Sequence, residues 1–384
     1  MARTIVVVYA GARAWGGIET YLHDLFRFYD PGIMRLVLVS MGEREPNGTT
    51  REEALKDGAG QVRAGDSAVM TGKTQRCLSP RRVRLRTILE ICEVLKEEDA
   101  DLVVSQGAVA NAYARMAALL SGLPSLVVTH SELTNDYPRG LKRWGFKLSD
   151  RLLRPITKRY IAVSWHLKNE LVRSGVKADR ISVVYNGVDN QELVAEEAPG
   201  GPALLGKPGE VNVVSVGRLH RVKNFDALIR AMGLLLDNMR LTIWGDGEER
   251  ENLERLIESL GLRGRVKLAG RAGSIPPVLA KADVYEQPSK SEGFGLAVVE
   301  AMLCGRPVVV APYGSLPELV EDGETGIVAT DCSPEALAGS IRRVVFDSRL
   351  ASRMAAAVQE VARQRSSIDR WLESTSAAFA EASC

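Results

Sequence analysis

The sequence reads Ser289-Lys290-Ser291-Glu292-Gly293-Phe294-Gly295-Leu296-Ala297-Val298-Val299-Glu300, with two carboxylates eight positions apart across a small glycine-flanked turn. Eight positions are a little over two turns of an α-helix, so a helix from about Phe294 would place Glu300 on its inner face. Glu292 would lie just before that helix, and the backbone N–H groups between the carboxylates would have no acceptor inside it. Carboxylates accept hydrogen bonds from sugar hydroxyls, and amides at a helix N-terminus hold phosphate oxygens. The stretch is therefore suited to bind a sugar attached to a phosphate. The alternative interpretation is an ordinary capped helix whose first turn is acidic.

Three further landmarks accompany this stretch: Gly16-Gly17-Ile18-Glu19, Asn186-Gly187-Val188-Asp189, and Gly217-Arg218-Leu219 with Lys223-Asn224. In this order and spacing, together with the motif from Glu292 to Glu300 and its Gly-Phe-Gly core, they make the chain resemble the glycosyltransferases of family 4, the retaining enzymes of the GT-B fold. The resemblance covers nearly the whole chain. It implies an α/β protein of two doubly wound Rossmann-like domains that face a central cleft, with a C-terminal helix that crosses back to the N-terminal domain.

The composition is that of a soluble globular protein, with 45% hydrophobic and 26% charged residues among 384. This length predicts two domains instead of a single core. A net charge of +2 gives no sign of a nucleic-acid partner. The five cysteines are scattered without metal-site spacing, and the sequence opens directly into an apolar strand. Because it also has no run of about 18 apolar residues, we expect a cytoplasmic protein.

Short apolar, β-branched runs alternate with longer amphipathic stretches along the chain. The runs are 5–8, 36–39, 102–104, 126–128, 160–163 and 181–184, followed by 211–216, 241–244, 266–268, 284–285, 307–310 and 326–328. Because they lack strict alternation, they fit strands that are covered on both faces of a parallel sheet. Residues 42–80 lack such a pattern and are interpreted as a long loop. The Pro/Gly-rich segment 196–202 predicts a domain 1–195, with 365–384 packing back on it, and a domain 203–364.

The resemblance assigns the nucleotide-sugar donor to the C-terminal domain and the acceptor to the N-terminal domain. It implies that Glu300 binds the ribose hydroxyls and that Glu292 binds hydroxyls of the transferred sugar. The stretch 268–274 would line the nucleobase pocket. The other residues expected to contact the donor are Gly293, Phe294, Gly295, Leu296 and Arg271.

Two cations follow the strand predicted over 211–216, Arg218 on its exit turn and Lys223 at the start of the next helix. The carboxyl ends of strands in open α/β sheets face the ligand crevice, and two cations there can neutralise a diphosphate without a metal. His130 follows the strand predicted over 126–128. The resemblance places it in the catalytic set as a group near the sugar, not as a general base. Gly16 and Gly17 open the first helix, where the matching glycines of the family face the donor phosphates.

Asp99-Ala100-Asp101 spells the DxD motif with which a different transferase fold binds a metal. It precedes the strand predicted over 102–104, at the edge of the sheet away from the crevice, so a helix–strand turn explains it. We predict no metal site and no cofactor, with the nucleoside-diphosphate sugar as donor substrate.

The sequence thus predicts a retaining, metal-independent hexosyltransferase that moves a sugar to a hydroxyl of a glycan, a lipid-linked sugar or a small molecule. Such a reaction belongs to the biosynthesis of cell-surface glycans, glycolipids or metabolite glycosides. Two alternatives stay open: another GT-B-type enzyme, such as a sugar-nucleotide epimerase or a phosphorylase, and a non-catalytic sugar-nucleotide-binding subunit. The basic, leucine-rich segment 139–159 predicts either an ordinary amphipathic helix or peripheral contact with an anionic membrane, at its inner face.

Overall fold

The computed structural model describes residues 3–10, 17–41, 76–78, 85–131, 141–189 and 209–383. The chain divides into two compact units, one of Met1–Gly187 with Ile368–Cys384 and one of Val188–Ser367. Each unit is built on one parallel β-sheet. The C-terminal segment therefore belongs to the first unit, as the predicted fold requires.

The first unit contains a parallel sheet of seven strands. They are β1 Arg3–Tyr9, β2 Met34–Met41, β3 Arg76–Leu78, β4 Leu102–Gln106, β5 Ser125–Thr129, β6 Arg159–Ala162 and β7 Ile181–Val183. Their order in the sheet is β3-β2-β1-β4-β5-β6-β7, and Val7 in β1 lies between Leu38 of β2 and Val104 of β4. Valine and isoleucine dominate these strands because both faces of the sheet are covered, and β1, β4 and β5 are buried along almost their whole length.

Helices connect the strands of the first unit. They are α1 Gly17–Phe28, α2 Leu85–Glu97, α3 Ala108–Leu120, α4 Leu141–Leu153 and α5 Trp165–Arg173. Helix α3 packs against both α2 and α4. The fully buried Arg115 of α3 pairs with Asp150 of α4 at 2.8 Å, so a buried charge is matched by an opposite charge on the neighbouring helix.

The second unit contains a parallel sheet of six strands. They are β8 Val211–Val216, β9 Met239–Trp244, β10 Val266–Gly270, β11 Val284–Gln287, β12 Val308–Val310 and β13 Gly326–Val328. Their order is β10-β9-β8-β11-β12-β13. The chain therefore builds the sheet outward in one direction from β8 and then returns to add β11 on its other side. In doubly wound sheets, ligands bind at the carboxyl ends of the strands where the order reverses in this way.

The helices of the second unit cover both faces of its sheet. They are α6 Phe225–Met232, α7 Arg250–Ser259, α8 Pro276–Leu279, α9 Leu296–Leu303, α10 Leu316–Leu319, α11 Pro334–Phe346 and α12 Ser348–Arg365. The side chain of Ser333 caps α11 by accepting the Ala336 N–H at 3.3 Å. Helices α6 and α11 pack on each other over an apolar core that includes Leu228, Ile243 and Ile341.

The last helix, α13 Ile368–Ser383, is part of the first unit. It packs on β4, β5, β6 and α1. Trp371 and Phe379 are buried there, and a Cβ on Gly187 would lie 3.0 Å from the Trp371 side chain. The prediction that the C-terminal helix packs on the N-terminal domain is thereby confirmed.

The predicted strands are present in both units, with ends shifted by a few residues. The interpretation of 42–80 as loop is wrong at residues 76–78, where Arg-Cys-Leu forms β3 beside β2. Three residues of mixed polarity are too short to show a strand pattern. The predicted domain break at 196–202 lies outside the described residues, so the predicted domain limits stay a prediction.

Among the described residues, no helix combines the length and the apolar character that crossing a bilayer requires.

Candidate active site

The candidate active site lies in the second unit, at the carboxyl ends of β8 and β11, where the strand order reverses. Strand β8 leads into Arg218 and Lys223, and β11 leads into Ser289 and Glu292. Both loops leave the same edge of one parallel sheet. The fold therefore collects the predicted cations and the first predicted carboxylate where a doubly wound sheet binds ligands.

The loop that carries Arg218 is supported by two glycines from the loop after β9. A Cβ on Gly245 would lie 1.9 Å from the carbonyl oxygen of Gly217, and one on Gly247 would lie 2.4 Å from that of Leu219. Only residues without a side chain allow this approach of two backbones. The Gly-Asp-Gly turn thus holds the Arg218 loop in place.

Lys223 ends a short 3₁₀ turn, Arg221–Lys223, and so does not begin a helix as predicted. The His220 side chain caps this turn by accepting a backbone N–H at 3.2 Å. Asn224 then adopts a left-handed conformation with φ of 57°, and α6 starts after it. This path directs the Lys223 ammonium to the Glu292 carboxylate, with which it forms an ion pair.

The Glu292 carboxylate is held through one oxygen atom, Oε1. This atom accepts hydrogen bonds from Lys223 Nζ, from Ser289 Oγ at 3.0 Å and from Gln287 Nε2 at 3.2 Å. Gln287 Nε2 also donates to Ser289 Oγ at 2.7 Å, and the Tyr285 hydroxyl donates to Gln287 Oε1 at 2.6 Å. We call Tyr285, Gln287, Ser289, Glu292 and Lys223 the glutamate network.

The backbone of Glu292 is fixed by the loop after β12. The Ser315 N–H donates to the Glu292 carbonyl oxygen at 3.1 Å, and the Ser315 hydroxyl donates to the Phe294 carbonyl oxygen at 2.8 Å. Gly314 adopts φ of 65°, and a Cβ there would lie 2.5 Å from the Glu292 carbonyl oxygen. The glycine thus lets the two loops pack closely enough for Ser315 to bond to the turn.

Helix α9 begins at Leu296 and not at about Phe294, because Gly295 takes a left-handed conformation with φ of 99°. Glu300 lies in the second turn of this helix. Burial, and the negative charges of Glu292 and Glu300, raise the pKa of the Tyr285 hydroxyl well above its usual value. The charges of both carboxylates thus affect the same buried phenol, while the binding roles predicted for Glu292 and Glu300 stay predictions.

The other predicted donor-binding residues of the second unit are not joined to the glutamate network by side-chain hydrogen bonds. Arg218 is exposed and, in the described part of the chain, its side chain makes no hydrogen bond or ion pair. Arg271 is exposed after β10, where its charge acts on Asp246. Gly293 and Phe294 are buried in the turn before α9. Their predicted roles stay predictions.

His130 lies in the first unit, after β5, and is half-buried against buried polar side chains. Its Nε2 lies 2.9 Å from Gln106 Oε1, and its ring packs edge-on against Tyr21 with the centroids 4.6 Å apart. Tyr21 also packs against Trp371 of α13, with centroids 5.1 Å apart. We call Gln106, His130, Tyr21 and Trp371 the histidine cluster.

The histidine cluster is neutral. Burial lowers the pKa of His130 to about 3, so its imidazole is uncharged at physiological pH. With Nε2–H donating to Gln106, Nδ1 carries the lone pair and can accept from a hydroxyl. A neutral acceptor suits a sugar hydroxyl better than a phosphate, and the role predicted for His130 near the sugar stays a prediction.

Of the two glycines predicted to open the first helix, only Gly17 is among the residues that the structure describes. Gly17 is the first residue of α1 and is exposed, whereas Gly16 lies outside the described residues. Glu19 of the same motif is buried and accepts a hydrogen bond from the Tyr9 hydroxyl at the end of β1. This contact ties the first turn of α1 to the carboxyl end of β1.

In the described ranges, no group of three or more histidine, cysteine, aspartate or glutamate side chains is arranged to hold a metal ion. The Asp101 carboxylate accepts the Thr4 N–H at 2.7 Å, and Asp99 adopts a left-handed φ of 50°. The Asp-Ala-Asp segment thus forms a helix–strand turn at the amino end of the first sheet.

Sequence reasoning did not identify Tyr285, Gln287, Ser289 or Ser315. Gln287 is a polar residue two positions after Tyr285, at the carboxyl end of a buried strand, and this position was a usable signal. Ser315 offered no comparable signal. It comes from another loop, and only the folded chain brings it to Glu292.

Two family models match the chain. "Glycosyltransferase Family 4" matches residues 15–192, and "Glycosyl transferases group 1" matches residues 203–361. Together the two matches cover most of the sequence.

Similarity to curated proteins extends over about half of the chain. An uncharacterized glycosyltransferase of Methanocaldococcus jannaschii is 34% identical over 197 residues, which are 49% of this chain and 50% of that protein. The lipopolysaccharide core biosynthesis glycosyltransferase LpsE of Rhizobium meliloti is 35% identical over 176 residues, 46% of this chain and 50% of LpsE. The chain thus spans about half the length of the curated relatives that it matches.

Similarity to solved structures extends further. HepE of Anabaena, crystallised with UDP and glucose, has a TM-score of 0.79 to this chain at 22% identity and covers 98% of it, with 99% of HepE matched. A likeness at this identity shows the fold. It confirms the predicted GT-B fold of two Rossmann-like domains.

Proposed function

Because the chain belongs to the glycosyltransferases of family 4, we propose that it transfers a sugar from a nucleoside-diphosphate sugar to an acceptor hydroxyl. The observation that carries the proposal is the glutamate network at the carboxyl ends of β8 and β11, where the strand order reverses. Lys223 is paired there with Glu292, and Glu300 lies in α9, the helix that follows this loop. Two carboxylates can accept the hydroxyls of two sugar rings, and an ammonium group beside them can stabilise a phosphate.

Each residue has one proposed task. Glu300 binds the ribose hydroxyls, and Glu292 binds hydroxyls of the transferred sugar. Lys223 and the exposed Arg218 stabilise the negative charge that develops on the departing diphosphate. Charges that the fold already holds in place need little reorganisation during the reaction, and such electrostatic stabilisation is often the largest contribution to catalysis.

We propose that transfer retains the anomeric configuration, as in the family. The acceptor oxygen forms its bond to the anomeric carbon on the face from which the diphosphate leaves, while the bond from that carbon to the diphosphate oxygen breaks. The acceptor proton passes to a diphosphate oxygen, so the leaving group serves as the base. NMR of the product tests this route, since the proposal predicts the anomeric configuration of the donor. A product of opposite configuration would contradict it.

Independence from metal ions is also part of the proposal. Lys223, Arg218 and the amides at the start of α9 supply positive charge at the place where a metal would otherwise be needed. Transfer is expected to continue at an undiminished rate in EDTA and to be unchanged when Mg²⁺ or Mn²⁺ is restored. Strict dependence on either ion would count against this charge assignment.

A donor screen tests the proposed function itself. Thermal unfolding with UDP-, GDP-, ADP- and TDP-sugars is expected to single out one base, since a ligand at about 100 times its Kd adds roughly 2.7 kcal/mol to the free energy of unfolding. HepE was crystallised with UDP and glucose, so UDP-glucose is the first donor to test. The selected donor is then assayed for transfer. Donor turnover without any acceptor would favour an epimerase, and binding without turnover would favour a non-catalytic subunit.

The acceptor class is proposed from LpsE, whose name places it in lipopolysaccharide core biosynthesis. A lipid-linked or cell-surface oligosaccharide hydroxyl is therefore the first acceptor to assay, with small-molecule glycosides as the comparison. Transfer to the small molecules alone would contradict the proposed acceptor class.

We also propose a cytoplasmic protein with peripheral contact to an anionic membrane. Leu148 and Leu152 of α4 are 59% and 67% exposed and lie one helical turn apart, beside the exposed Lys147 and Arg151. Apolar side chains flanked by cations suit the surface of an anionic bilayer. In the described part of the chain, Cys92, Cys304 and Cys332 form no disulfide bond, as expected in a reducing compartment.

Sedimentation with lipid vesicles tests the membrane contact. The protein is expected to sediment with phosphatidylglycerol vesicles and not with phosphatidylcholine vesicles, and the double substitution Leu148→Ser, Leu152→Ser is expected to reduce sedimentation severalfold. Equal sedimentation of both proteins would rule out this surface.

A further inference from the structure

The hydrogen bonds of the glutamate network run in a single direction. The Tyr285 hydroxyl donates to Gln287 Oε1, Gln287 Nε2 donates to Ser289 Oγ, and Ser289 Oγ donates to Glu292 Oε1. A carboxylate can only accept, so the amide nitrogen of Gln287 has to face Glu292 and the amide oxygen has to face Tyr285. The chemistry of its two neighbours thus fixes the orientation of the Gln287 amide.

The first donor in this chain keeps its proton. Burial, with the charges of Glu292 and Glu300, raises the pKa of the Tyr285 hydroxyl well above its usual value. The phenol therefore donates to Gln287 throughout the pH range in which an enzyme works. Hydrogen bonds aligned in one direction strengthen each other in a buried setting.

Hydrogen bonds hold both the backbone and the side chain of Glu292. Its backbone oxygen accepts from Ser315, and its Oε1 accepts from Lys223, Ser289 and Gln287. Within the described part of the chain its other oxygen, Oε2, accepts no hydrogen bond, and the side chain is 12% exposed. One carboxylate oxygen is thus anchored to the protein, and the other is the one that a ligand hydroxyl can reach.

We propose that Gln287 is a positioning residue: oriented by Tyr285, it locks the Glu292 carboxylate so that Oε2 is presented to the transferred sugar. This inference rests on the proposed function, in which Glu292 binds that sugar. Gln287 acts through Glu292 and does not touch the donor itself.

Substitution of Gln287 by methionine removes the amide and keeps the length of the side chain. We expect Gln287→Met to lower kcat by about ten- to a hundredfold, with KM for the donor and Kd for the nucleoside diphosphate within about threefold of wild type. Loss confined to kcat is the sign of a contact that matters in the transition state. Wild-type kcat in Gln287→Met would overturn the proposal.

A double-mutant cycle tests whether Tyr285 works through Gln287. Tyr285→Phe alone is expected to lower kcat by about three- to tenfold, because the amide loses the donor that orients it. Added to Gln287→Met, the same substitution is expected to change nothing further. If the two effects multiply, Tyr285 acts independently of Gln287 and the proposed relay is overturned.

Glu286 offers a matched control on the same strand. It is fully buried like Gln287, and neither of its carboxylate oxygens has a hydrogen-bond partner in the described residues. Side chains alternate between the two faces of a strand, so Glu286 lies on the face away from the network. Glu286→Gln is expected to keep kcat within about twofold of wild type. A loss equal to that of Gln287→Met would show that any change in β11 disturbs the site.

A crystal structure of Gln287→Met gives a readout that does not depend on activity. The Glu292 carboxylate is expected to leave Ser289 Oγ, to which it is bonded at 3.0 Å in the wild-type chain, while Ser315 keeps its bond to the backbone. An unmoved carboxylate would overturn the positioning role even in an active enzyme. Should the wild type transfer no sugar from any donor, the proposed function fails, and the crystal structure still decides the role of Gln287.

Discussion

The glutamate network of the second unit and the histidine cluster of the first unit are both polar. They differ in whether the side-chain nitrogen and oxygen atoms at their centre have hydrogen-bond partners within the protein. Each hydrogen-bonding atom of the Gln287 and Ser289 side chains has a partner in the network. In the described residues, Gln106 Nε2 and Trp371 Nε1 have none. A buried polar atom without a partner costs about 1–3 kcal/mol. The network is therefore organised by the fold itself, whereas the cluster carries hydrogen-bonding capacity that the fold leaves unused.

The two regions also differ in charge. The glutamate network contains an ion pair between Lys223 and Glu292, while burial keeps His130 neutral by lowering its pKa to about 3. A charged site that the fold already holds in place can stabilise charge that develops during a reaction. A neutral site with spare hydrogen bonds is suited to hold hydroxyl groups instead. We infer that the second unit carries the transition-state chemistry, and the following substitutions test that difference.

Removal of the network cation is expected to have the largest effect. Lys223→Ala is expected to lower kcat by about 10²–10³, the scale for losing one preorganised charge-stabilising group. Arg221→Ala is the matched control, since Arg221 lies in the same 3₁₀ turn but pairs with Glu249 at 3.0 Å. Steady-state kinetics on both folded variants decide the question. Equal losses would assign the effect to the turn as a whole and not to the Lys223 charge.

Glu286 tests whether unpaired buried groups are costly in the second unit as well. Burial raises the pKa of this carboxyl well above its usual value, so the folded state binds its proton more tightly than the unfolded state. Stability of the wild type should therefore fall as the pH rises from the ordinary range of a glutamate through the raised pKa. Glu286→Leu is expected to remove this dependence and to add about 1–3 kcal/mol at pH 8.

Urea unfolding at pH 5 and pH 8 measures both effects for Glu286→Leu. The gain in the free energy of unfolding should be larger at pH 8 than at pH 5. A variant no more stable than wild type at pH 8 would mean that the Glu286 carboxyl has found a partner in solution.

His130 is expected to give a pH dependence of the opposite sign. Because its pKa is lowered to about 3 in the folded state, the unfolded state binds a proton first as the pH falls below the ordinary value of a histidine. Stability should then decrease by about 1 kcal/mol for each pH unit between roughly 6.5 and the folded pKa. His130→Gln is expected to flatten this slope in unfolding experiments from pH 7 to pH 5. An unchanged slope would place the proton uptake on another group.

The sheets were predictable because their strands are covered on both faces. Runs such as 5–8 in β1 are apolar at every position, which marks a buried parallel strand. The segment Arg76–Leu78 has no such pattern, because a three-residue strand is too short to show one. The start of α9 at Leu296 depends on the left-handed conformation of Gly295. Glycine can adopt several backbone conformations, so the sequence alone did not predict this start.

The candidate site was predictable where its residues share one segment. The motif placed Glu292 before a helix and Glu300 within it, and the structure has this order, with Glu300 in α9. The ion pair of Glu292 with Lys223 was not predicted, since it joins loops that follow two different strands. Contacts of this kind depend on which strands are neighbours in the sheet. The spacing of residues along the chain does not reveal this order.

The central claim is that the second unit binds the nucleotide through Glu300 and the sugar through Glu292. Titration calorimetry of the nucleoside diphosphate with wild type, Glu300→Ala and Glu292→Gln tests it most directly, because this ligand has a ribose and no transferred sugar. We expect Glu300→Ala to weaken binding by about 1.5–3 kcal/mol, and Glu292→Gln to stay within about threefold of wild type while its transfer rate collapses. Wild-type affinity in Glu300→Ala, or the same profile for both variants, would contradict the account.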